Sequence, residues 1–174
     1  MKTFVFGYGS LILRQSIART IVRLPAQEEL VAARLTGYDR VWDYTARIHA
    51  EALDKEVDAV YLNLRARTTA QVNGVVFGVS EEELAKLAAR ERYYTMVEVT
   101  ASIEPRFEGR VVTFVCTDPR HLAAVGEEAW VMQGYLDTVQ EGCAAMGSLF
   151  AAEFARTTQP FAFPVLEGAY RFVR

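Results

Sequence analysis

A chain of 174 residues, 51% of them apolar, is long enough to close a sizeable core, and a single domain over 1–174 is expected. The net charge of −3, with no run of five like charges, excludes the basic stripe of a nucleic-acid binder or an anionic-membrane binder and leaves a small-molecule partner.

The chain opens on a short β-preferring run, Thr3 to Phe6, followed by Gly7-Tyr8-Gly9-Ser10-Leu11-Ile12. Two glycines admit backbone angles closed to other residues, so the turn can bare its N–H groups. With Ser10 capping a helix through Leu13, Ile17 and Ile21, those groups would join the positive helix end as a carboxylate or phosphate site. A plain turn out of the strand is the other reading of the same residues. A dinucleotide fingerprint would need glycine at Ile12, and so would a nucleophile elbow centred on Ser10; both fail, which leaves Ser10 as a hydrogen-bonding group.

Leu30 to Trp42 reads as extended structure bent at Gly37, and Arg47 to Asp58 as a polar loop. Ala59–Leu64 and Val72–Val79 read as two strands. Ser80 and Glu83 have the spacing of a capping box ahead of Leu84, Leu87 and Ala88, so a helix starts there. Val97 to Glu104 alternates with the period of a half-buried strand, Pro105 to Gly109 turns the chain, and Arg110 to Cys116 is its partner. Beyond Asp118-Pro119 the pattern is helical, with Tyr135, Leu136, Val139 and Cys143 on one face and Leu149, Phe150 and Phe154 on another. Ala169 to Val173 reads as a closing edge segment. Strands cluster with helices mostly after them, which is the order of an α+β fold.

Cys116 and Cys143 lack CxxC spacing, so buried free thiols are expected. His49 and His121 are too few for a histidine-rich metal centre, which leaves only a carboxylate metal site open. The start lacks the apolar run of a signal peptide and no stretch approaches a membrane-helix length, so a cytoplasmic location is expected.

Glu91 stands out. Positions 84, 87, 88 and 91 share one helical face, and Leu84, Leu87 and Ala88 make that face apolar. A carboxylate on it needs a partner or a purpose, and desolvation would move its pKa toward that of a general acid or base. The plainer reading is a helix-end glutamate paired with Arg92. Glu98, on the polar face of its strand, is the reserve acid/base candidate.

Together, Phe6-Gly7-Tyr8-Gly9-Ser10-Leu11-Ile12 and Leu87-Ala88-Ala89-Arg90-Glu91-Arg92-Tyr93-Tyr94 resemble the γ-glutamylcyclotransferase superfamily, as do Val31–Tyr38, Gly74–Phe77 and the segment of Tyr135 with Gln140–Cys143. The resemblance implies a mixed, closed β-barrel flanked by α-helices. It implies a cofactor-independent and metal-independent reaction in which the α-amine of a γ-glutamyl group closes 5-oxoproline and expels an amine or amino acid. It also implies that Glu91 is the catalytic acid/base, and that Gly7, Tyr8, Gly9, Ser10, Leu11, Ile12 and Tyr135 bind the small-molecule substrate. The stretch Tyr38 to Ala50 lacks the His-Arg-Gly of the glutathione-acting branch, and Arg92 stands where a glycine often follows the glutamate. Two other readings stay open. One is a non-catalytic ligand-binding or interaction module on the same fold. The other is a phosphate binder with Arg14, Arg19 and Arg23 converging on the turn.

Overall fold

The structure, a computed structural model, describes residues 2–123 and 128–173. Among these residues nine strands form one mixed sheet: β1 Thr3–Gly7, β2 Val31–Ala50, β3 Lys55–Val79, β4 Thr95–Glu98, β5 Ile103–Glu104, β6 Arg110–Val115, β7 Ala129–Met132, β8 Val165–Leu166 and β9 Tyr170–Phe172. The helices are α1 Arg14–Ile21, α2 Glu81–Arg90, α3 Gln133–Ala145 and α4 Ser148–Arg156. The main strand order is β4-β6-β1-β3-β2-β5, with β7 added to β3, β8 to β7, and β9 to β2. No helix among the described residues is long and apolar enough to cross a membrane.

The backbone of the sheet is the β2–β3 hairpin, paired from Val31↔Val76 to Ala50↔Lys55. The expected polar loop over Arg47 to Asp58 is therefore four residues long, Glu51 to Asp54. The reason is a two-residue period: Ala46, Ile48 and Ala50 point into the core while Arg47 and His49 point away from it. The two separate strands expected in 59–79 are likewise one continuous β3. The register shifts twice, at Gly37 and at Asp43, so the long ribbon bends instead of lying flat.

The sheet curls into a half-barrel and does not close, which corrects the closed barrel implied by the resemblance. Among the described residues its outer strands, β4 and β5, do not pair with each other. The alternating run Val97 to Glu104 breaks at Val99, whose backbone leaves the extended region, and passes through a 3-10 turn at Thr100–Ser102 that leaves Ala101 exposed. Only Ile103 and Glu104 then reach β2, and Pro105 has no N–H to extend the ladder.

Helices α2 and α4 pack on β3, and α3 packs on β7. Ser80 caps α2 through its Oγ, which accepts from the Glu83 N–H at 3.1 Å, while the Glu83 carboxylate accepts from the Ser80 N–H at 2.9 Å. In α4 Phe150 and Phe154 are buried, but Leu149 is exposed, contrary to the expected face. α4 is fastened by Arg40, a fully buried cation whose Nη1 donates to Thr158 Oγ1 at 2.9 Å and whose Nη2 donates to the Asn73 carbonyl. Its guanidinium lies 3.7 Å from the centre of the Phe154 ring. Cys116 and Cys143 are buried free thiols.

β3 meets the end of β1 at Gly74, where a Cβ would fall 2.5 Å from the Gly7 carbonyl oxygen and 2.6 Å from the Phe6 ring. Gly74→Ala therefore forces the Gly7 turn to move and is expected to cost about 2–3 kcal/mol in urea unfolding. Gly78→Ala, whose Cβ would meet only the Phe4 ring at 3.7 Å, should stay within about 0.5 kcal/mol of the parent.

Candidate active site

β1 delivers the chain to Gly7, and Tyr8 turns inward, 7% exposed, with its hydroxyl donating to the Phe114 carbonyl at 2.7 Å. Ser10–Ile12 then forms one 3-10 turn, closed by the Ile12 N–H on the Gly9 carbonyl at 3.0 Å. The N–H groups of Gly9, Ser10 and Leu11 have no hydrogen-bond partner among the described residues. α1 starts only at Arg14, with Leu13 as its cap, so Ser10 does not cap it as expected. Burial of Leu11 and Ile12 draws the chain into the core first, and the helix begins after them. Neither Gly7 nor Gly9 has a positive φ. What they supply is the absence of a side chain: a Cβ on Gly9 would lie 2.8 Å from the Tyr135 hydroxyl, and one on Gly7 would lie 2.8 Å from Leu11 Cβ.

Glu91 follows the last residue of α2 as its C-terminal cap, with φ −82° and ψ 51°. Its N–H still bonds the Leu87 carbonyl at 2.9 Å, while its own carbonyl takes the Tyr94 N–H at 3.0 Å. That turn swings Tyr94 back toward the sheet, where its hydroxyl donates to the Leu62 carbonyl at 2.9 Å. The helical-face reading of Glu91 is thus modified: Leu87 is buried, Leu84 half-buried and Ala88 exposed, and the cap rather than the face aims the carboxylate.

A pit of about 40 Å³ lies between these segments, bounded by Gly7, Tyr8, Gly9, Ser10, Leu11, Glu91 and Tyr135 among others. It shares Ser10, Glu91, Tyr94 and Tyr135 with a wide cleft of about 1290 Å³. Every expected site residue except Ile12 borders the pit; Ile12 is 1% exposed and packs in the core. Glu98 is elsewhere, paired with Arg110 at 3.2 Å on the surface. Arg23 is committed to Glu83 and Glu29, so the three arginines of the phosphate-binder reading do not converge on the turn. Among the described residues no group of three or more His, Cys, Asp or Glu side chains is placed to hold a metal ion.

With strand order, half-barrel and pit in place, comparison with solved structures is informative. A γ-glutamyl cyclotransferase superposes with a TM-score of 0.63 over 93% of this chain and 90% of that chain, at 13% sequence identity. The chain has the γ-glutamyl cyclotransferase fold. An uncharacterized protein from Homo sapiens matches with a TM-score of 0.61 over 92% of this chain and 90% of its own, at 15% identity. YkqA from Bacillus subtilis matches at 0.61 and 17% identity over 89% of this chain and 53% of its own. At these identities the likeness is one of fold. No protein-family model and no curated protein matches the sequence.

In this cyclotransferase fold the Glu91 side chain is 17% exposed, and burial raises its pKa above the usual carboxylate range, against a smaller opposing pull from Arg90. Burial is also the first cause that pushes the hydroxyls of Tyr8, Tyr94 and Tyr135 up, so they stay neutral and serve as hydrogen-bonding groups. Arg90 was missed by the sequence reading. Its Nη2 donates to Ser10 Oγ at 2.9 Å, its Nη1 to the Ser16 carbonyl at 2.9 Å, and its Nε stands 3.4 Å from Glu91 Oε1. Arg90, not Arg92, is the ionic partner of Glu91, and it ties the end of α2 to the glycine turn. Adjacency to Glu91 was the one signal of this in the sequence.

The raised pKa has a sign that can be read in stability. Glu91 protonates more readily in the fold than in the unfolded chain, where its pKa is about 4.3. Its contribution to stability is therefore complete below about pH 4.3 and is lost as pH rises through the higher folded value. Glu91→Gln, which cannot ionise, should raise Tm over the parent at pH 8 and give no such gain at pH 4. A Tm difference independent of pH would contradict the raised value.

Proposed function

We propose that this chain is a cytoplasmic, cofactor-independent enzyme that cyclises a γ-glutamyl group to 5-oxoproline and releases an amine or amino acid, with Glu91 as general acid/base. The observation that carries this reading is a single desolvated carboxylate facing unpaired backbone N–H groups across one pit on the cyclotransferase fold. Buried free thiols suit a reducing compartment. The partner called for is a small γ-glutamyl compound; the acidic net charge offers nucleic acid nothing.

In this mechanism the N–H groups of Gly9, Ser10 and Leu11 receive the anionic oxygens of the glutamyl group, and Ser10, whose Oγ accepts from Arg90, keeps its proton to donate. Holding the glutamyl chain curled brings its α-nitrogen to its own γ-carbonyl carbon, an arrangement worth up to about 7–11 kcal/mol of barrier in favourable intramolecular cases. Glu91 takes a proton from the α-ammonium, the freed amine attacks, and a C–N bond forms as the carbonyl becomes an oxyanion. The protonated Glu91 then donates to the leaving nitrogen, the old C–N bond breaks, and the carbonyl reforms. A second proton follows the same route, so the three hydrogens of the ammonium end as one on the lactam and two on the departing amine. A carboxyl of raised pKa serves both the taking and the giving.

Release of 5-oxoproline from γ-glutamyl amino acids, γ-glutamylamines and glutathione tests this directly. Glu91→Gln, still folded, should lose about 10²–10⁴-fold in kcat. The Glu91–Arg90 ion pair favours one other reading, a binding module in which Glu91 is only an anchor for Arg90. Ligand binding without release by the parent, or equal release by parent and variant, would favour it.

A further inference from the structure

The group expelled from the γ-carbonyl has to leave the pit on the side of Glu91, into the wide cleft, since Ser10, Glu91, Tyr94 and Tyr135 border both spaces. The surface it meets there is a run of rings. Tyr94 lies 4.3 Å from Tyr44, Tyr44 lies 5.9 Å from Tyr61, and Tyr61 lies 6.0 Å from Phe172, which in turn is 5.8 Å from Tyr170. All five rings line the cleft. The run begins beside the carboxylate and ends at Phe172, which is 60% exposed on the edge strand β9. Of the charges beside it, Arg47 stands 3.3 Å from Asp58 and Arg120 stands 2.6 Å from Asp118, while Arg92, in the same lining, makes no ion pair among the described residues. Stacking surface is what the rings of this wall offer a ligand.

We infer that the ring track from Tyr94 to Phe172 is the leaving-group subsite and that it selects γ-glutamyl compounds whose departing amine carries an aromatic ring. This rests on the proposed cyclisation for the position of the glutamyl half, and it adds the class of the other half. The ring is the shared chemistry; an aromatic amino acid and a simple arylalkylamine are its two sources.

The test is equilibrium binding to Glu91→Gln, in which turnover is expected to be slowed, by titration calorimetry with γ-glutamylphenylalanine, γ-glutamylphenethylamide, γ-glutamylglycine and glutathione. Glu91→Ala serves where the Gln variant does not fold. Both aromatic amides should bind at least about tenfold tighter than the glycine compound and glutathione. Adding Phe172→Ala, with its fold checked by circular dichroism, should shrink that ratio about threefold to tenfold. Tighter binding of γ-glutamylphenylalanine than of the phenethylamide would name the amino acid as the source, and the reverse would name the amine. Equal binding of all four, no binding of the aromatic pair, or a ratio that Phe172→Ala leaves unchanged would overturn the subsite. Release of 5-oxoproline by the parent is read separately. Selective binding without release would sink the cyclisation and leave the aromatic subsite standing, whereas release without aromatic preference would do the opposite.

Discussion

The pairing of β2 with β3, and the two places where its register slips, is the constraint on which the rest of the structure depends. Two strands of 20 and 25 residues in perfect register would make a long twisted ribbon with no enclosed space. At the first slip Arg67 to Ala70 stand opposite Gly37 alone, and at the second Asp43 is an extra residue on β2. Each slip bends the ribbon, and the bends together give the sheet a concave side. Asp43 is 5% exposed, and its carboxylate accepts from Asn63 Nδ2 at 2.9 Å and from Arg65. Asn63 reaches on to the Cys116 carbonyl at 2.8 Å and takes the Cys116 N–H at 2.9 Å. The bulge is thereby locked to the end of β6 by satisfied polar groups, and its neighbours Tyr44 and Tyr61 are held at the wall of the cleft and Leu62 at that of the pit.

Arg40 locks the other flank. It sits within a few residues of the bulge on β2, and its donors reach Asn73 on β3 and the chain just past α4. With no carboxylate partner among the described residues, it is desolvated enough to bring its pKa down to about 9. Its hydrogen bonds and the Phe154 ring are what keep a cation in that position tolerable, so the contact specifies where α4 docks more than it adds to stability. α3, next to α4, carries Tyr135 to within close contact of Gly9.

At the site the division of labour follows from burial. The tyrosines are held neutral and shape the walls, the glycine turn presents backbone donors, and Glu91 is the one carboxylate bordering the pit among the described residues. Arg90 couples these parts, because one guanidinium touches Ser10, Ser16 and Glu91. Its charge opposes the rise that burial gives the Glu91 pKa.

What the sequence determined by itself was local. The glycine-flanked Tyr8 turn after a strand, the Ser80–Glu83 capping box, the bend at Gly37, the α+β order of elements and Glu91 as an unusual carboxylate all depend on residues near one another in the chain, and period and cap chemistry are legible at that range. What only the tertiary structure decided depends on contacts between distant segments. The merging of two expected strands into β3, the breaking of Val97 to Glu104 and the failure of the barrel to close come from pairing partners that no local pattern names. The same holds at the site: Gly9 needs no side chain because Tyr135 arrives from the other end of the chain, Ile12 leaves the site for the core, and Arg90 crosses from α2 to Ser10. A side chain's period says which way it faces, but its partner is set by how the sheet curls.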